Sequence, residues 1–151
     1  MNIIWYGTAE EVNAAYWRPV AEAEGVTLEE LLASPQTGID EDGNEVELAP
    51  GADIEGMKLQ GCWGFMDTEA QTIHAWAAHD ADPANVLHML AHEIGHATGT
   101  PDPDDLQEEL RADAYGKVAR VAFELMRAKP KPDGAAILGA VRLPAVLPVV
   151  T

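Results

Sequence analysis

The sequence predicts a single α+β domain over residues 1–129, followed by an apolar tail over 130–151. Three observations predict this class. Two capping-box signals open helices near the N-terminus, two extended runs lie side by side in the middle, and two amphipathic helical patterns follow them. At 151 residues, 47% of them hydrophobic, the chain is long enough for one compact core and too short for two large ones.

The elements follow in order. Ile3-Ile4-Trp5-Tyr6 before Gly7 reads as a short strand. Thr8 with Glu11 signals a helix through Tyr16 and Trp17, with Pro19 expected to limit or kink it. Thr27 with Glu30 repeats the signal before Leu31-Leu32. Residues 34–56, rich in Pro, Gly and Asp, read as loops with room for a hairpin around Asp42-Gly43-Asn44. The runs 61–66 and 72–77, separated by Asp67-Thr68-Glu69-Ala70, read as a β-hairpin within a small twisted sheet. Asp82 and Pro83 occupy the N-cap and N1 positions of a helix over about 83–98, which Gly99 and Pro101 end. A closing helix over about 104–128 places Leu106, Leu110, Tyr115, Val118, Val121, Ala122 and Leu125 on one broad apolar face. No internal repeat is present.

Charge narrows the partners. Twenty-six acidic against nine basic side chains give a net charge of −17, which repels nucleic acid and anionic membranes at long range. Residues 1–110 carry 23 acids and two bases, whereas 111–151 carry three acids and seven bases. That asymmetry fits a solvated acidic surface flanked by one basic helix. The lone Cys62 cannot form an intramolecular disulfide. Residues 1–9 lack the basic start and apolar length of a signal peptide, and no run approaches the roughly 20 apolar residues of a membrane span, so a cytoplasmic protein is expected. The tail, with Arg142 as the only charge after Gly134, is too apolar to be left in water. It must lie on its own domain, on a second copy in a homo-oligomer, or in a cleft.

The chemistry-bearing motif is His92-Glu93-Ile94-Gly95-His96, an H-E-x-x-H pattern within the helix that starts at Pro83. Residues four apart on an α-helix are separated by about 6 Å and about 40° of rotation, so both imidazoles leave one face and can bind one zinc ion. Glu93, next to the first ligand, can take a proton from a water that the metal activates. A third ligand is required. Glu109 is one candidate, with Asp113 four residues on as a group that could orient a ligand histidine. Asp102 is the other, because His92 to Asp102 also reads H-E-x-x-H-x-x-G-x-x-D with Gly99 free to turn the chain back.

H-E-x-x-H followed by a helix carrying Glu109-Leu110-Arg111-Ala112-Asp113, an E-x-x-A-D pattern, resembles the small gluzincin-type zinc metallopeptidases. These include minimal zincins and the immunity-type peptidases of phages and mobile elements. The resemblance covers about residues 61–125, and twelve residues separate His96 from Glu109. It implies a zincin-like fold, Zn2+ on His92, His96 and Glu109, Asp113 beside a histidine, Glu93 as general base and later proton donor, and hydrolysis of a peptide or protein substrate. In zincins the strand before the metal helix lies along the cleft, which makes His74 and Trp76 candidate cleft residues. The Asp102 reading is similar to metzincin-like small proteases, although the only methionine after the motif is Met126, deep in the closing helix. A third arrangement resembles peptide deformylase, with Cys62 as a ligand, but the glycine-rich signature near the start of such enzymes is absent. For the developing oxyanion, Tyr115 and Arg111 are the nearest candidates. The alternative to an enzyme is a non-catalytic binding module of a phage or mobile element that keeps zinc for stability.

Overall fold

The computed structural model describes residues 1–99 and 103–128. Asp102 and the tail 130–151 therefore lie outside the described residues. The chain is mixed α+β. Its elements are β1 (Asn2–Trp5), α1 (Ala9–Glu24), α2 (Leu28–Ala33), β2 (Gln36–Ile39), β3 (Glu45–Leu48), α3 (Ala52–Gln60), β4 (Cys62–Asp67), β5 (Thr72–Ala77), α4 (Pro83–Ala97) and α5 (Asp105–Arg127).

Local signals explain most boundaries. Both expected capping boxes form, with Thr8 and Thr27 accepting from the N–H groups of Glu11 and Glu30. Asp82 caps α4 by accepting from Ala84 N–H, and Asp104 caps α5 by accepting from Leu106 and Gln107. Pro19 does not limit α1, which runs on to Glu24. The missing N–H costs one helical bond, but Ala21 beyond it is buried, and the helix ends where Gly25 adopts a left-handed conformation and bonds the last carbonyls. The stretch 34–56 is more ordered than its composition predicts. β2 and β3 form an antiparallel hairpin around Asp42-Gly43-Asn44, and α3 follows. Helix α3 has little sequence amphipathicity. It is held by burying Met57 and packing Ile54 against the core.

The sheet has the order β1-β5-β4, with β1 parallel and β4 antiparallel to β5. Side-chain alternation gives its two faces different partners. Trp63, Phe65 and Trp76 pack with Ala9, Val12 and Met57 of α1 and α3. On the other face Gly64 meets α4, where an added Cβ would lie 2.7 Å from the Met89 sulfur. Helix α5 then packs antiparallel on α4. The approach is close because a Cβ on Gly95 would lie 2.7 Å from Ala112 Cα. Here the expectation from the sequence is overturned. The apolar stripe of α5 is not a core face: Leu106, Leu110, Val118, Val121 and Leu125 are more than half exposed, and the buried residues are Ala112 and Gly116. Small side chains, rather than large ones, decide which side of α5 can approach α4. Among the described residues, no helix is long and apolar enough to cross a membrane.

Candidate metal centre

Helix α4 packs on β4 where Met89 meets Gly64, and its last turns carry His92, Glu93 and His96 into the angle between β4 and α5. The two imidazoles meet edge to face, with their Nε2 atoms 3.2 Å apart. Helix α5 supplies the third group. Glu109 Oε2 lies 3.4 Å from His92 Nε2, and Glu109 Oε1 lies 3.5 Å from His96 Nε2. One ligand atom from each of His92, His96 and Glu109 fits within 4.8 Å of the others. Two imidazole nitrogens and one carboxylate oxygen, converging from two rigid helices, form a donor set that suits zinc and leaves a further coordination position open. Burial, and then the neighbouring His96, lower the pKa of His92, which favours the neutral imidazole that metal binding needs.

Glu93 is placed differently. It is only 7% exposed, although it is a carboxylic acid, and it lines both cavities that flank His92. Burial and the charge of Glu109 push it up to about 8, against the backbone N–H of Met66, which donates to the carboxylate and pulls the other way. One cavity, of about 470 Å3, lies toward Phe65, Met66 and Glu108. The other, of about 590 Å3, lies toward Cys62, Gly64, His88 and Asp113.

Strand β4 forms the wall between the sheet and this site. Ala78 N–H bonds Gly61 O at 2.7 Å, which sets the ladder so that Trp63 and Phe65 exchange hydrogen bonds with β5. Cys62, Gly64 and Met66 consequently turn their N–H and C=O groups toward the open edge of the sheet, where the Met66 N–H meets Glu93. Strand β5, expected to lie along the cleft, instead runs between β1 and β4 and has no free edge. His74 and Trp76 accordingly belong to the packing. His74 stacks on Phe65 with centroids 4.6 Å apart and bonds Tyr6 Oη at 2.8 Å, and Trp76 is buried in the core.

Other expected site residues fall in new places. Asp113 does not face His92 or His96 most closely. Its Oδ1 lies 3.6 Å from His88 Nε2, and its Oδ2 lies 2.6 Å from Lys117 Nζ. The carboxylate beside a candidate ligand ring is Glu108, 3.5 Å from His96 Nδ1 and bonded at 2.6 Å to Arg111. Sequence reasoning missed Glu108 because it is one acid in the run Glu108-Glu109, where only a knowledge of which face of α5 meets α4 separates the two. Arg111 is engaged by Glu108 and by Gly95 O, and Tyr115 is 41% exposed rather than core. Neither lines the two cavities. Cys62 is buried, its thiol pushed up by burial, and it is not part of the His/His/Glu group. No known protein family, curated protein or solved structure matches the chain.

Proposed function

We propose that the chain is a zinc-dependent metallopeptidase of gluzincin-like type on a zincin-like fold, with zinc held by His92, His96 and Glu109. The observation that carries this reading is the convergence of these three side chains within 4.8 Å beside the buried carboxyl of Glu93. A zinc ion supplies Lewis-acid polarisation and makes water a nucleophile near neutral pH. The protein's own part is proton handling and alignment. Glu93 is the general base: it takes the proton of the attacking water and later returns it to the leaving amine. Pairing Glu109 with a cation removes one of the two causes that hold the Glu93 pKa high, so the loaded site favours the ionised, basic form.

Alignment falls to β4. The outward backbone groups of Cys62 and Gly64 can pair with an extended peptide as an added strand, which lays its scissile bond across His92 and Glu93. The expected substrate is therefore an unfolded or loop segment of a peptide or protein.

The test is cleavage of a broad peptide library by the zinc-loaded chain and by Glu93→Gln. The wild type should cleave, and Glu93→Gln should keep its zinc and its fold while losing turnover by at least about 10²-fold. A chain that binds zinc and cleaves nothing would replace this reading with that of a zinc-stabilised binding module, and a Glu93→Gln variant that cleaves as well as wild type would remove Glu93 from the role of general base.

A further inference from the structure

Helix α4 has a third side that the metal centre does not use. Val86, Leu87, Leu90 and Ile94 recur at helical spacing on the side away from the histidines, yet none of them is buried among the described residues, and Ile94 is 38% exposed. Beside them runs an apolar groove of about 380 Å3, walled by Ala77 and Ala81, by Val86, Leu87 and Leu90, and by Phe123 of α5. The apolar surface continues along the sheet. Strand β1 pairs Trp5 with Ala75, which is itself opposite Gly64, so Trp5 lies on the α4 face of the sheet, and it is 50% exposed. Helix α4 is the most apolar in the chain, and what covers this side of it is missing from residues 1–99 and 103–128.

We infer that this groove is the docking site of the chain's own C-terminal segment, residues 135–151. The described residues end beside this groove. Arg127 Nη1 donates to Asp82 Oδ1 at 3.0 Å, which fixes the end of α5 at the N-cap of α4. Phe123, one turn earlier, is already part of the groove wall. The chain thus leaves α5 at the mouth of the groove.

The segment is also long enough. From Pro83 to Ile94 the helix rises only about 17 Å at 1.5 Å per residue, whereas 17 residues span about 25 Å even when helical and more when extended. Pro130-Lys131-Pro132-Asp133-Gly134 supplies turn-forming residues at the point where the chain must reverse.

Its chemistry fits as well. Residues 135–151 are Ala, Val, Leu, Ile, Gly and Pro apart from Arg142 and Thr151, which matches a groove without a charged wall. Pro144 and Pro148 disfavour a ladder strand but not a segment lying between a helix and a sheet. A tethered segment also competes at an effective concentration in the millimolar range, which a second copy does not reach in dilute solution. The outer stripe of α5, with Leu106, Val118 and Leu125 exposed, is the other apolar surface among the described residues, and a probe on it distinguishes the two.

The test uses the full chain with a benzophenone side chain in place of Leu87. On irradiation it should cross-link within one chain to peptides from residues 135–151, and the same probe at Val118 should not. Cross-links from position 87 to a second chain, or only to residues 1–128, would overturn the assignment. Hydrogen exchange of the unaltered full chain provides the check that needs no variant. Amides of 135–151 should exchange at least ten-fold more slowly than in an unstructured peptide, and exchange at unstructured rates would equally overturn it.

Discussion

The backbone N–H of Met66 donates a hydrogen bond to the carboxylate of Glu93. That bond joins the free edge of β4 to α4 at the very group the proposed chemistry uses as its base. It favours the ionised carboxylate, but burial and the charge of Glu109 outweigh it and leave the group pushed up to about 8. The base is thus positioned by the same strand edge that would hold the substrate.

A pH dependence follows for the metal-free chain. Glu93 is raised to about 8 in the folded state from 4.5, so the folded state holds this proton more tightly than the unfolded one. The stability it contributes is complete below pH 4.5 and is lost as pH rises through about 8. A gap of that size is at most about 5 kcal/mol. In chelator, urea unfolding of wild type should show a larger fall in stability between pH 5 and pH 8.5 than that of Glu93→Gln. Equal falls in the two proteins would show that Glu93 does not titrate in this way.

Gly95 is set by packing. Gly95→Ala should gain about 1 kcal/mol of helix propensity and lose about 1–3 kcal/mol to overpacking against the Ala112 backbone. The net expectation is destabilisation of up to about 2 kcal/mol together with weaker zinc binding, since α5 carries Glu109. Thermal unfolding and a zinc titration of the variant check both. A more stable variant would mean that the two helices can move apart without cost.

The two carboxylates flanking Glu109 should differ. Glu108→Gln alters the group beside His96 Nδ1 and should lower zinc affinity by roughly 10–100-fold, the usual range for a partner that orients a ligand histidine. Asp113→Asn touches His88 and Lys117 first and should cost less. Competition with a zinc chelator ranks them, and the opposite order would return Asp113 to the role its place in E-x-x-A-D implies.

Cys62 should be inert. It is 6% exposed and its thiol is pushed up by burial, so the native chain should be alkylated far more slowly than the urea-unfolded chain at the same pH. Cys62→Ala should keep its zinc. Loss of the metal would indicate a deformylase-like ligand set.

Local chemistry made much of this legible in the sequence. Thr8, Thr27 and Asp82 announce their helices because a capping side chain acts within three residues, and two short extended runs separated by the polar stretch Asp67-Thr68-Glu69-Ala70 announce a hairpin. The juxtaposition of His92 and His96 needs only the pitch of a helix. What could not be read depends on contacts far apart in the chain. Met57 stabilises α3 through the core, β1 takes the outer edge that turns β5 into a central strand, and Gly95 against Ala112 selects which side of α5 faces the metal site. The stripe from Leu106 to Leu125 misled because apolar periodicity shows that a face seeks cover, not which partner covers it.

The central claim is that α4 and α5 together build one metal centre. Titration of the chelator-stripped chain with zinc, read as bound metal per chain, tests it most directly. The account predicts about one zinc for wild type, with strong loss of affinity in His92→Ala, His96→Ala and Glu109→Ala and little change in Asp102→Ala. Unchanged binding in Glu109→Ala, with the large loss at Asp102→Ala instead, would contradict it.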